Sequence, residues 1–514
     1  MNITYKECSS LKSAYYSEHS LIDIPKKRDH FNLIENPQIF SELLELFSNK
    51  DVNGLNNLLI QEIYPFFQKY GAISIGYMTE KKVFDILIFM MKENVLTEIA
   101  FRIIDLIIAS TPASIDIFFN ENHALQEFIL LQLEKYISNP ETENQETDGE
   151  EESSENLNLQ IIDICANILY NLCISKKQVL MLYELNFLSI IEKALKKSIT
   201  FQDNIERDKE FLICLNSILL FKATDSIHKK EDFLPVFEIY FRILSMPILP
   251  LIPLTCRLMN DLLNEEQNLL LTFFHLNFYQ HLISLLNTSL NSIYLIKFLH
   301  DSLSLEEYEN ETKIIALGVS ETITFLQFFD FIHSKILSSP TMNTEISDSE
   351  IDSRMMIYEF DERDEELMIQ IFNLLSDILA IENVAPLDVL GVIIPVFNLI
   401  YNNGTNKLKS AFKQFLVNYI FLLPTESLFD LLNNEPMRYF FVDFGEESLD
   451  FAETTLMAIE YIMEKLKTIE IDESDPKYFL VHETFPEAIQ QTLSFGGEIE
   501  NQAKAIMNEF FCFN

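Results

Sequence analysis

The chain has no tryptophan, and only 10 glycines and 16 prolines among 514 residues. So few turn formers exclude a fold of many short strands joined by tight turns, and also a Pro/Gly-rich low-complexity chain. Basic residues are scarce too: 37 lysines and arginines face 79 aspartates and glutamates, for a net charge of −42. A phosphate backbone is repelled by such a chain, so nucleic acid is a poor partner and a basic protein segment a natural one. No apolar run of membrane-spanning length is free of charge. The richest, Phe233 to Leu254, carries Glu238, Arg242 and four prolines, so no membrane association is expected. The opening residues MNITYKECSSLKS have no basic stretch followed by an apolar core, and no secretory signal is expected. Six cysteines are widely spread without a CxxC, and the nine histidines show no metal-ligand spacing. They read as reduced core residues of an intracellular protein, cytoplasmic or nuclear, that needs no metal or cofactor.

What is abundant is apolar. Hydrophobic residues make up 48% of the chain, with 43 phenylalanines among them. With glycine and proline scarce, this composition predicts an all-α protein. A short helix is then written repeatedly. NFLSIIEKALKKS spans Asn186 to Ser198, and NFYQHLISLLNTS spans Asn277 to Ser289. DFLPVFEIYFRILS follows from Asp232 and TFLQFFDFIHSKILSS from Thr324. The phenylalanine after the polar residue falls at Phe187, Phe233, Phe278 and Phe325, giving spacings of 46, 45 and 47. Weaker copies begin at Ile39, Val83, Leu125, Val389 and Ser427. A sustained period in the forties, filled with helical pattern, predicts a right-handed α-solenoid of about nine layers. No layer can bury its apolar face alone. Stacking builds a continuous core and leaves a long concave surface.

A longer helix precedes each copy, the clearest being LNLQIIDICANILYNLCIS from Leu157. QVLMLYEL, NFLSIIEKALKKS and FLICLNSILLF then run short, medium and long. In this order the chain resembles the armadillo family, whose repeats are built of such helix triplets; HEAT repeats share the period. The resemblance spans roughly residues 35–440. Armadillo repeats usually have Gly where Asn186 stands, so Asn must make the sharp turn there, in left-handed geometry that it tolerates. The family's long helix lines the groove, and in importin-alpha-like members it carries Trp-x-x-x-Asn. Aligned on that pattern, the Asn position is Asp105, Asn171, Ser217, Asp261, Asp301, Asp377 and Asn418. All are small and polar inside apolar runs. They either bond an extended ligand or satisfy the solenoid's own backbone and helix ends. The Trp positions are Phe101, Asn167, Ile213, Arg257, Lys297, Asn373 and Gln414. The aromatic clamp that holds lysine stems in the import receptors is therefore missing.

Two acid-rich stretches interrupt the pattern. Residues 139–156 contain eight acids and no base, and residues 345–366 ten acids and two bases. Disordered insertions are expected at 139–156 and 340–366, with Ser153, Ser154, Ser347 and Ser349 set beside acids as in acid-directed kinase substrates. Residues 1–30 read as a flexible tail, 31–440 as the solenoid, and 441–514 as an acidic helical cap. No nucleophile motif, P-loop, dinucleotide fingerprint or zinc signature occurs. VDFGEES at Val442 contains Asp-Phe-Gly but has no accompanying kinase motifs. The expectation is a monomeric, non-catalytic scaffold or adaptor that holds an extended, basic protein segment along its groove. A divergent transport receptor of the importin-alpha type, or a structural subunit of a large assembly, is the alternative.

Overall fold

The computed structural model describes residues 37–70, 82–92, 97–110, 124–138, 152–173, 176–201, 204–224, 233–245, 250–289, 292–337, 362–434, 437–442, 449–467 and 475–511, with a few isolated residues between them. Among these residues there is helix and no strand. The chain divides into two compact units, Met1–Leu251 and Ile252–Asn514. Among the described residues no single helix is long and apolar enough to cross a membrane.

The first unit contains α1 (Pro37–Ser48), α2 (Val52–Leu58), α3 (Tyr64–Tyr70), α4 (Val83–Lys92), α5 (Thr97–Ser110), α6 (Ala124–Ser138), α7 (Glu152–Leu172), α8 (Lys176–Glu184), α9 (Phe187–Phe201), α10 (Ile205–Thr224) and α11 (Leu234–Ser245). Two rows run through it. Helices α3, α5, α7 and α10 pack in succession, as do α4, α6, α9 and α11. The rows are joined where α4 meets α5, α6 meets α7 and α9 meets α10. The apolar stripes of both rows meet in a core that includes Phe101, Ile104, Ile164, Leu169, Leu195, Leu215 and Phe237.

The second unit contains α12 (Ile252–Glu265), α13 (Leu269–His275), α14 (Phe278–Ser289), α15 (Ile293–Leu303), α16 (Glu309–Thr322), α17 (Phe325–Leu337), α18 (Glu362–Glu382), α19 (Leu390–Asn403), α20 (Asn406–Leu422), α21 (Thr425–Leu432), α22 (Met437–Val442), α23 (Leu449–Leu466), α24 (Pro476–Phe479), α25 (Phe485–Thr492) and α26 (Gly497–Ile506). One row again predominates: α12, α15, α18, α20, α23 and α26 pack in succession. The C-terminal helices thus extend the row within their unit. Without tryptophan, phenylalanine supplies the aromatic packing. Phe329 meets Phe372 at 6.2 Å, Phe372 meets Phe412 at 5.1 Å and Phe412 meets Phe397 at 5.9 Å. The chain of rings goes on through Phe440 and Phe441 to Phe485.

The repeated Asn-Phe start has a local cause. Asn186 and Asn277 both have φ of 61°, and Lys82, at the same place before Val83, has 52°. In each turn the backbone N–H of that residue donates to the carbonyl three residues back. The pairs are Asn186 to Tyr183, Asn277 to Phe274 and Lys82 to Thr79. A left-handed residue ends one helix and starts the next at a steep angle, 77° between α13 and α14.

The last residues of each stretch expected as a disordered insertion are helical. Residues 139–151 and 340–361 lie outside the described residues, as does the tail at 1–30, but helix α7 already begins at Glu152 and α18 at Glu362. The reason is electrostatic. Glu362, Asp364 and Glu365 occupy the first turn of α18, where acids are favoured by the positive end of the helix dipole.

Candidate functional site

The seven small polar positions all fall on the two rows of successive long helices. Asp105, Asn171 and Ser217 lie on α5, α7 and α10 of the first unit. Asp261, Asp301, Asp377 and Asn418 lie on α12, α15, α18 and α20 of the second. Asn171 is buried and the other six are half-buried. Helical spacing explains this. Each residue stands at the edge of its helix's apolar stripe, beside positions committed to the core.

Much of the hydrogen-bonding capacity in the first unit is used internally. Asn167 Nδ2 donates to both oxygens of Asp105, at 2.9 and 2.8 Å, and Asn171 Nδ2 donates to Asn167 Oδ1 at 3.2 Å. Ser217 Oγ donates back to the Ile213 carbonyl at 2.9 Å. Around these bonds lies a group of acids. Asp163 on α7 takes a bond from Arg207 Nη1 at 3.2 Å. Arg102 on α5 binds Glu98 and reaches Gln160 on α7 at 2.9 Å. Burial pushes the Asp105 carboxyl up to about 7, against the pull of Asn167 and Arg102. Burial, with Asp105, Glu206 and Asp163 nearby, pushes Glu210 on α10 up to about 8. Asp163 is raised as well, chiefly by burial. The stripe through α5, α7 and α10 therefore holds carboxyls that ionise reluctantly and would gain from a cation.

A different arrangement occupies the second unit. Asn260 Nδ2 donates to Asp301 Oδ2 at 2.5 Å. His300 Nδ1 lies 2.6 Å from Asp377 Oδ2, which also accepts from Ser304 Oγ at 3.2 Å. Asp301 and Asp377 are thus tied to α12 and α15. Asp261 is pushed up to about 6 by burial, although Arg257 and Lys297 pull it down. The Arg257 guanidinium sits 5.5 Å from the centre of the Tyr294 ring. Among the described residues the Asn418 side chain has no hydrogen-bond partner, and it faces the half-exposed stripe of α20 with Gln414. Of the remaining positions expected to correspond to a clamp, Phe101 is buried, Lys297 is exposed, and Asn167, Ile213 and Asn373 are half-buried.

Several participants were not singled out from the sequence. Asn260 and His300 each adjoin a residue that was, and their neighbour on the next helix could not be read from one chain. Glu210 had a usable signal: it lies seven residues before Ser217, two turns back along the same stripe. Cys173 and Cys214 also come together, as described below. No group of three or more metal-ligating side chains occurs among the described residues. Residues 443–448, which include the Asp-Phe-Gly stretch, lie outside them, as do Ser347 and Ser349. No protein-family model matches the chain, and no curated protein matches it.

Proposed function

We propose that the protein is a non-catalytic, armadillo-like scaffold, built of about nine helical layers stacked as a right-handed solenoid, that binds an extended basic segment of a protein partner. The partner lies along the half-exposed stripe of the long helices. The observation that carries this reading is the group of reluctant carboxyls at Asp105, Asp163 and Glu210, set on three successive helices. A Lys or Arg head placed there offsets the cost of ionising them and donates charge-assisted hydrogen bonds to them. The scaffold acts inside the cell, in the cytoplasm or nucleus. The absent tryptophan clamp weighs against an import-receptor role.

Fluorescence anisotropy with a panel of Lys/Arg-containing peptides and uncharged counterparts tests this. Affinity for the basic peptides should rise as pH goes from 6 to 8, because the bound cation favours ionised Asp105 and Glu210. The double variant Asp105→Asn, Glu210→Gln should lose that rise. Equal binding of basic and uncharged peptides, or an unchanged pH profile in the double variant, would overturn the reading.

A further inference from the structure

Two thiols take no part in the polar stripe yet lie beside it. Cys173 closes the last turn of α7 and is half-buried, whereas Cys214, in the middle of α10, is fully buried. Their Sγ atoms are 3.3 Å apart, in S–H···S contact, and Cys173 Sγ also lies 3.3 Å from the Leu169 carbonyl. They come from helices that pack directly on each other, 41 residues apart in sequence. We propose that Cys173 and Cys214 are a peroxide-sensitive dithiol, in which Cys173 is oxidised first and Cys214 closes a disulfide between α7 and α10.

The two sulfurs divide the work by access. The Cys173 thiolate attacks one oxygen of a hydroperoxide. The O–O bond breaks, the sulfur becomes a sulfenic acid, and the leaving oxygen departs as water or an alcohol with a proton. Cys214 then attacks the Cys173 sulfur. An S–S bond forms, the S–O bond breaks, and hydroxide leaves with the Cys214 proton as water. Two thiols and one hydroperoxide thus give one disulfide, one water and the water or alcohol of the first step. The sulfurs must approach by little more than ~1 Å to reach the ordinary S–S length of about 2.05 Å.

The contact with Cys173 and burial both push the Cys214 thiol well above its ordinary range, so it is a poor nucleophile toward peroxide in bulk water. Held against the oxidised sulfur, it reacts as a neighbour and not as a solute. Cys165 and Cys256 are fully buried, and burial pushes Cys256 up to about 12, so neither competes. The bond would join the two helices within three residues of Asn171 and Ser217.

The test is thiol mapping on the full-length protein. The chain is treated with hydrogen peroxide, quenched, denatured and alkylated, and its peptides are identified by mass spectrometry. The expected result is a cross-linked peptide pair joining Cys173 to Cys214, with Cys165 and Cys256 still alkylated. In Cys214→Ser, a Cys173 sulfenic acid should be trapped by dimedone; in Cys173→Ser, Cys214 should stay reduced. Survival of the Cys173 thiol, its passage to sulfinic acid while Cys214 remains alkylatable, or cross-links to another cysteine would each overturn the proposal. The mapping of the unsubstituted chain decides even if a serine variant folds poorly.

Discussion

The first unit ties its polar stripe across helices with a buried arginine, and the second ties its own with short side-chain bonds, although Lys413 on α20 is buried there. In the first, Arg207 on α10 is only 1% exposed. Its Nε and Nη2 donate to Ser198 Oγ on α9 at 3.0 and 2.8 Å, its Nη1 meets Asp163 on α7, and its guanidinium faces Tyr136 on α6 at 5.5 Å. One side chain thereby joins four helices. In the second unit the corresponding ties are short side-chain bonds, Asn260 to Asp301 and His300 to Asp377. Its arginine on the stripe, Arg257, is half-exposed beside Tyr294. The contrast teaches that the acids among the small polar positions, Asp105, Asp301 and Asp377, mark places where helices are cross-tied, but not the chemistry of the tie, whereas Asn171 and Ser217 bond within their own helices.

The strongest way to sharpen that contrast is to remove each arginine. Arg207→Ala leaves Ser198 and Asp163 without their buried donor and should cost about 3–5 kcal/mol. Arg257→Ala removes a half-solvated stacking contact worth only about 0.5–1 kcal/mol. Urea denaturation of both variants measures this. Equal losses would mean that the two units do not differ in the way described.

A second pair of variants asks what the units share. Tyr240 OH bonds Asn216 Oδ1 at 2.8 Å in the first unit, and Tyr279 OH bonds Ser302 Oγ at 2.9 Å in the second, all four residues being buried. Burial lifts the Tyr279 hydroxyl well above the usual tyrosine range, so it stays protonated and donates. Tyr240→Phe and Tyr279→Phe each leave a buried partner short of a bond and should each cost about 1–3 kcal/mol. A loss in one unit alone, seen in urea midpoints, would show that packing and not the hydrogen bond sets stability there.

The repeated turn offers a smaller, matched test. Asn186 and Asn277 adopt the same left-handed backbone with the same hydrogen bond. Alanine has no polar side chain to ease that conformation, so Asn186→Ala and Asn277→Ala should each cost about 1–2 kcal/mol. Glycine at either site should be tolerated. Thermal melts of the four variants check both statements.

That turn was legible in the sequence, and it shows what kind of information a single chain holds. The Asn-Phe repeat places a left-handed residue and a helix start by local sterics, which need no distant partner. The helices of the repeat are present where the period put them, at Pro37–Ser48, Phe187–Phe201, Phe278–Ser289 and Phe325–Leu337 among others. The site was less legible. That Asp105, Asn171 and Asp301 sit on the long helices follows from spacing. That they bond Asn167 and Asn260 depends on how neighbouring helices are rotated, which side-chain packing decides. The acidic stretches were read by composition alone, so the helix starts at Glu152 and Glu362 were missed although their acids suit a helix N-terminus.

The finest comparison sets Asp105 against Asp261, the same sequence position under two different burdens. In the folded chain Asp105 is held up to about 7 and Asp261 to about 6, both chiefly by burial. The unfolded carboxyl titrates near the ordinary aspartate value of about 4. Between that value and the folded one, the native state binds more protons than the unfolded state, so each group lowers stability as pH rises. The loss is complete once pH passes the folded value, and it is absent below about 4. Asparagine cannot ionise, and at 105 its Oδ1 can still accept from Asn167 Nδ2. Asp105→Asn should therefore gain stability over the unsubstituted chain from about pH 4 upward and level off above pH 7. Asp261→Asn should follow the same course but level off nearer pH 6, a narrower window set by Arg257 and Lys297. Both residues are half-buried, so solvent screening keeps the gains modest. Neutralising Asp105 should also ease the ionisation of Glu210, whose carboxyl it pushes up, and so shift part of the pH dependence below pH 8. Urea midpoints from pH 4 to 9 give both curves; a gain that falls as pH rises would contradict the sign, and identical windows would erase the distinction between the units.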